Sequence, residues 1–308
     1  RLRPQVRGRH LSVDNLQRGR MSAVTRRLIV TADDFGISTA VNEAVRRGYR
    51  DGVLRFASLM VTGEAAADAV DIARRDCPGL GVGLHLVLCS GRPALRPESL
   101  EGLLESDGRF PDDPVLCGLR YFFDGGAERR LERELRAQFE RFLATGLRPA
   151  HVDGHLNIHA HPVVFPLVMR LAREHGFSRV RLPGGEFGVS FGYSRRPLGK
   201  QLLEAAVFGM LRAYLLRSHA DPRIEVPQRV YGLLRSGLMR EEYVREAVRR
   251  LPPGTTEIYF HPSADPASEA GAEPRPGHHT CTELRTLTSP GLKTFLDDEG
   301  ISLVTANV

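Results

Sequence analysis

RLIVTADDFG, residues 27–36, is the stretch on which the reading of this chain turns. Its first six positions form a short β-branched apolar run of the kind that makes a fully buried strand, and the run stops at two carboxylates, Asp33 and Asp34. Ser38 then stands where a helix N-cap is needed, Val41, Ala44, Val45 and Gly48 share one face of the helix that follows, and Gly52 closes it. Strand, acidic turn and helix make the repeating unit of a parallel α/β sheet.

The same alternation continues along the chain. A strand over 56–61 is followed by a helix over 64–74, and a third strand over 81–87 carries His85 near its end. Residues 128–145 alternate Glu and Arg around Leu131, Leu135, Phe139 and Phe142, which predicts a salt-bridged amphipathic helix. A histidine-rich segment at 151–161, a helix over 163–175 and a strand over 180–182 come next. Late in the chain a strand over 257–260 runs into His261-Pro262, helices are expected around 284–287 or 291–298, and a strand over 301–304 ends the pattern. The expected class is α/β in a single domain over 27–308, built either as a barrel or as a doubly wound sheet. In both, ligands bind beyond the carboxyl ends of strands, where Asp33, Asp34, His85, His155 and His261 gather. The Pro-, Ala- and Gly-rich stretch 262–279 reads as a mobile loop over that end, with His278-His279 a polar pair without a role.

Composition excludes several classes. With 308 residues, 42% hydrophobic and 26% charged, the chain is neither disordered, collagen-like nor a disulfide miniprotein. Cys77, Cys89, Cys117 and Cys281 form no CxxC pair, which removes zinc-knuckle and redox motifs and fits a cytoplasmic protein. The net charge of +6 is local: residues 1–27 hold eight arginines against Asp14, or +7, so the other 281 residues sum to −1. Residues 1–26 are read as a disordered basic extension, with Met21 a plausible start, and the near-neutral body argues against a nucleic-acid partner. The segment 198–216 carries an apolar stripe of Leu202, Leu203, Ala206, Val207, Met210, Leu211, Tyr214 and Leu215 beside Lys200, Arg212 and Arg217. It reads either as a peripheral contact with the inner membrane surface or a lipid tail, or as a core or homodimer helix.

Four of the eleven histidines fall within residues 151–161. A strand there puts His151, Asp153 and His155 on one face, whereas a helix groups His151, His155 and His159. Either way imidazole and carboxylate converge, which is a ligand set for a divalent transition metal. Two adjacent carboxylates on a strand point to opposite faces, which suits one to a metal and the other to a proton. His261 ends a strand, and with an ordinary pKa of about 6.5 it is suited to hold a proton at neutral pH and pass it to a leaving group. No GxSxG, phosphate loop or GxGxxG follows the first strand.

Thr31-Ala-Asp-Asp-Phe-Gly-Ile-Ser38 with Asn42, Gly83-Leu-His-Leu86, His151-Val-Asp-Gly-His155 with His159, and Glu257-Ile-Tyr-Phe-His-Pro262, in that order over residues 27–308, resemble the motifs of the YdjC-type carbohydrate deacetylases. The resemblance implies a distorted TIM-like (β/α) barrel with one divalent metal ion, magnesium or zinc. It implies Asp34, His85 and His155 as metal ligands, Asp33 as general base and His261 as general acid, with Asn42, His151, Asp153, His159 and Arg181 as substrate or supporting residues. The phrasing of the motifs is most similar to the hopanoid-biosynthesis-associated branch, which implies an N-acetylglucosaminyl lipid as substrate. A soluble chitooligosaccharide and a non-catalytic sugar-binding barrel are the alternatives. A phosphoesterase would require several free Lys or Arg at the strand ends, of which Arg181 is the best candidate.

Overall fold

A computed structural model of the chain describes residues 25–190, 198–269 and 278–306. The basic extension read over 1–26 therefore lies outside the described residues except for its last two, and so do residues 270–277 of the loop read over 262–279. The elements run β1 (Arg26–Phe35), α1 (Thr39–Asp51), β2 (Phe56–Leu59), α2 (Ala66–Arg75), β3 (Gly81–Leu86), α3 (Pro114–Phe123), α4 (Ala127–Ala144), β4 (Val152–Gly154), α5 (Val164–Glu174), α6 (Phe187–Ser190), α7 (Leu198–His219), β5 (Arg229–Tyr231), α8 (Glu241–Arg249), β6 (Gly254–Phe260), α9 (Cys281–Leu287), α10 (Pro290–Asp298) and β7 (Ser302–Leu303).

The strands form one parallel sheet in the order β4-β3-β2-β1-β6-β5. Leu28 to Phe35 of β1 and all of β3 are buried, as continuous apolar strands covered on both faces should be. One edge of β1 is shared: β7 pairs with Arg27 and Leu28, and β2 takes over from Thr31 onward. The two outer strands are joined by the segment 179–184. Val180 bridges to Val152 of β4 and Gly184 to Val230 of β5, through backbone hydrogen bonds such as Arg181 N–H to Val152 O at 2.9 Å. The strand expected over 180–182 is thus reduced to isolated bridges, and the sheet closes as a distorted TIM-like barrel in a single domain.

Local chemistry explains the helices. Ser38 caps α1 as read, its hydroxyl accepting the Val41 N–H at 3.3 Å. On α4, Leu131, Leu135, Phe139 and Phe142 are buried as expected, yet Glu134 and Gln138 are buried with them. Glu134 accepts the N–H groups of Ala94 and Leu95, and Gln138 brackets both backbone groups of Val87, so α4 clamps the loop that leaves β3. Helices α3 and α8 and strand β5 were not anticipated. Helix α3 buries Cys117 and Tyr121 but exposes Val115, Leu119, Phe122 and Phe123, so its apolar residues do not report a core face. On α7, Leu202, Leu203, Val207, Met210 and Tyr214 are exposed, and Leu215 is buried. Arg212 is a correction to the stripe's basic flank, because it donates to the carbonyls of Leu182, Pro227 and Gln228 and ties α7 to the barrel. Among the described residues no helix is long and apolar enough to cross a membrane.

Candidate active site

The end of β1 carries a bulge: Ala32 pairs with Ala57 and Phe35 with Leu59, so two residues of β1 stand against one of β2. Asp34 lies there at φ 62°, a left-handed conformation that Asp and Asn tolerate better than other side chains, at a cost of about 1–3 kcal/mol. The bulge, rather than regular alternation, separates the two carboxylates. Asn42 on α1 secures the turn. Its Oδ1 accepts the Gly36 N–H at 2.7 Å, and its amide donates to Ala65 O and Asp68 Oδ2. With these partners Asn42 supports the backbone of the turn.

Asp34 is fully buried and faces three imidazoles. His155 Nδ1 and His85 Nε2 lie 2.7 and 3.0 Å from its Oδ1, and His279 Nε2 lies 2.9 Å from its Oδ2. Burial would raise the Asp34 pKa, but His155, His279 and His85 hold it well below the usual carboxylate range. Donor atoms of Asp34, His85 and His155 all lie within 4.8 Å of one another, and imidazole with carboxylate is a donor set that zinc and related divalent ions accept. The other nitrogen of His85, Nδ1, meets Asp153 Oδ1 at 2.7 Å, the carboxylate support that commonly orients a ligating histidine. Burial opposes the charge on His85, but Asp153 and Asp34 outweigh it and push its pKa up to about 10.

Asp33 points into a second, separate cluster. Arg181 holds it in a bidentate pair at 2.6 and 2.8 Å, and the same guanidinium reaches Asp153 at 2.9 Å and Glu257 at 2.7 Å. Thr31 adds a hydrogen bond to Glu257, and the guanidinium lies 4.4 Å from the centre of the Tyr259 ring. Burial raises the Asp33 pKa to about 6, with Arg181 limiting the rise. Asp33, His85 and Asp153 also bring donor atoms close together, but both of those carboxylates are already paired with Arg181. Arg181 is 1% exposed, and its donors are committed to carboxylates, which leaves none for a phosphate.

His261 sits just past β6 with Nδ1 3.1 Å from the Ser236 hydroxyl, and it packs edge-on against His279. Its backbone N–H, together with that of Met239, is received by Glu283, a buried carboxylate whose pKa burial pushes up to about 7. Burial lowers the His261 pKa to about 3, so at rest the ring is neutral.

The histidine segment satisfies neither period in full. His151, just before β4, and Asp153, within it, lie together, and a 3-10 turn over His155–Ala160, with Leu156 and Asn157 in left-handed backbone, turns His155 to Asp34 and His159 away. His159 Nε2–H donates to Arg181 O at 2.9 Å, and burial lowers its pKa to about 4. His151 Nε2 lies 3.0 Å from Ser58 Oγ, and its ring lies flat against Gly83, where a Cβ would come within 2.4 Å. Gly83→Ala is therefore expected to displace His151 and lower the thermal midpoint, a shift that calorimetry would register. The residues that sequence reasoning missed are Glu257, Glu283 and His279. Glu257 was in view as part of a quoted motif but reads there as one more strand residue. His279 was set aside as part of a loop, although the Pro262–Thr280 bridge returns that loop to the end of β6.

Comparison with known proteins adds the following. A family model described as YdjC-like protein matches residues 27–298. A carbohydrate deacetylase of Brevibacillus brevis is 34% identical over 282 residues, covering 91% of this chain and 98% of that protein. One from Geobacillus stearothermophilus is 33% identical over 91% of this chain and 96% of its own length. A chitooligosaccharide deacetylase of Salmonella schwarzengrund is 31% identical over 64% of this chain and 79% of its own length. A solved structure from Enterococcus faecalis V583 superposes with a TM-score of 0.70 over 91% of this chain and 97% of that one, and its 22% identity makes it evidence for the fold alone.

Proposed function

The chain belongs to the YdjC-like protein family, and from that premise we propose that it is a metal-dependent hydrolase that removes the acetyl group from an N-acetylglucosamine-type sugar. The observation that carries the reading is the buried trio of Asp34, His85 and His155 at the carboxyl ends of the strands, beside a second carboxylate, Asp33, held apart from it by Arg181. In this reading the trio is the metal site and Asp33 the general base. Asp34, His85 and His155 would hold a divalent ion, which would supply polarisation of the acetyl carbonyl and a water whose pKa falls to about 7. Asp33, with a pKa about 6, is suited to take the proton from the attacking water near neutrality. Asp153 keeps His85 oriented, and Arg181 keeps Asp33 from turning toward the trio. His261, neutral at rest with Ser236 on Nδ1, would take the remaining hydroxyl proton of the added water and deliver it from Nε2 to the departing sugar nitrogen, while Asp33 returns its own proton to solvent. His279 stands on the open side of Asp34, placed to meet the sugar.

The lipid-linked sugar of the hopanoid-associated branch is the substrate we favour over a free chitooligosaccharide. Its support is helix α3, which stands by the end of β3 and the turn after β4: Tyr121 donates to Leu88 O and packs edge-on against His161. From there it exposes Val115, Leu119, Phe122 and Phe123 beside the mouth, where an apolar aglycone or a membrane surface would meet it. The test incubates purified protein with an N-acetylglucosaminyl lipid and with chitobiose, and follows loss of one acetyl group by mass spectrometry. Turnover of the lipid above chitobiose supports the reading; turnover of neither overturns the proposed activity.

His261→Ala should keep its full complement of metal and lose turnover by about 10²–10⁴-fold, the usual worth of a positioned acid. Equal metal content with unchanged kcat would remove His261 from the mechanism.

A pH prediction follows from His85. A histidine whose pKa rises from about 6.5 in the unfolded chain to about 10 on folding stabilises the fold fully below the first value and loses that contribution as pH climbs through the second. Chelator-stripped protein should therefore lose thermal stability between those values. Asp33 and Glu283, raised to about 6 and about 7, act in the same direction but are spent by about pH 7, so a loss that continues toward pH 10 in the stripped protein alone is the contribution of His85. Parallel curves for the two forms would contradict a metal on His85.

A further inference from the structure

The opposite end of the barrel holds a cavity of about 670 Å³ that the proposed reaction does not use. It opens where the strands begin: Arg27 of β1, Phe56 of β2 and Gly81 of β3 line it, far along each strand from the carboxylates and imidazoles described above. Its charged lining is one-sided, with Arg27, Arg74, Arg148 and Arg179 against a single acid, Glu225.

Arg179 is the unusual member. It is 6% exposed, its Nε–H is buried without a hydrogen-bond partner, and its guanidinium lies 4.4 Å from the centre of the Phe56 ring. Among the described residues its one side-chain hydrogen bond is long, Nη2 to His151 Nδ1 at 3.5 Å. A buried guanidinium is normally paired, as Arg181 is two residues later, because an uncompensated buried charge and an unmet donor each cost stability. Arg181 answers that demand with three carboxylates. Among the described residues no carboxylate comes within salt-bridge distance of Arg179: buried Glu257 and exposed Glu225 favour its charge only from farther off, and burial outweighs them. Arg179 lines a cavity whose volume falls within the 300–1,000 Å³ typical of small-molecule sites, with further arginines around it.

We propose that this floor cavity binds a small oxyanion, a phosphate group either free or carried on a sugar-sized molecule, with Arg179 as the buried anchor and Arg27, Arg74 and Arg148 around the mouth. A planar guanidinium presents paired donors that match such oxygens, which is why arginine rather than lysine serves in these sites. The site has a physical route to the catalytic end, because Arg179 touches His151, and His151 meets Ser58, whose hydroxyl donates to Asp153.

Calorimetric titration of the full chain at low ionic strength tests this, with sodium phosphate, glucose 6-phosphate and glucose as ligands and sodium chloride as the control. Saturable binding of phosphate or of glucose 6-phosphate, and of neither glucose nor chloride, is expected, and the stronger of the two identifies the source of the group. Arg179→Gln should weaken it about tenfold or more, the loss of a charge-assisted hydrogen bond. His155→Ala should leave it unchanged, which separates this site from the catalytic one. Should Arg179→Gln fail to fold by circular dichroism, the double variant Arg27→Gln, Arg148→Gln takes its place and should lose affinity several-fold. Absence of saturable binding by both phosphate ligands, unchanged affinity in the folded variants, or loss of binding in His155→Ala would each overturn the proposal.

Discussion

His155→Ala is expected to release the divalent ion and to lower deacetylation by about a thousandfold or more, with the fold intact. The ion's several kcal/mol of transition-state stabilisation set that scale at about 1.4 kcal/mol per tenfold. His155 contributes one of three donors and is 7% exposed at the start of an irregular turn, so truncation removes a ligand without emptying the core. His159→Ala is the matched control, because His159 faces the Arg181 carbonyl and should keep the metal. Metal content by elemental analysis, acetate release and circular dichroism measured on the same samples decide the matter. A His155→Ala protein with stoichiometric metal and normal turnover would dismantle the proposed site.

The second large effect is on stability. Arg181→Met leaves Asp33, Asp153 and Glu257 together in the barrel with no guanidinium between them. Breaking a buried ionic cluster by removing one partner costs about 3–5 kcal/mol, which for a domain of this size lowers Tm by roughly 10 °C. Adding Glu257→Gln to Arg181→Met should recover part of the loss, because one of the stranded charges is gone, and the double-mutant cycle measures how much. A Tm for Arg181→Met within a degree of wild type would show that these carboxylates take up protons at no cost and that Arg181 does not hold the cluster.

Much of this arrangement was legible in the chain itself, for identifiable reasons. Buried parallel strands announce themselves as uninterrupted apolar runs, and chemistry collects where such runs end, so Asp33, Asp34, His85 and His261 stood out without any structure. Helix α1 was readable from Ser38 to Gly52 because its cap and its apolar face agree. Strand β5 was not, since three residues are too few to show a period, and the closing segment 179–184 pairs through single bridges with no strand pattern at all. Arg181 was noticed only as a cation near the site. That it belongs to three carboxylates from three different strands is a fact of topology, which local sequence does not carry. The bulge at Asp33-Asp34 was invisible for a related reason: two identical residues in succession look like alternation, and only the pairing of β1 with β2 reveals the extra residue.

Strand β1 lies at the middle of the sheet, yet its partner on one side, β6, begins at Gly254, and β7 completes its other edge only at Ser302. During synthesis this buried central strand must therefore wait, with one edge unpaired, while more than two hundred further residues are made. An open apolar edge is a template for unwanted pairing. The first of the described strands is among the last to be completed, so the yield of this enzyme in a cell should depend on how well β1 is shielded in the interval.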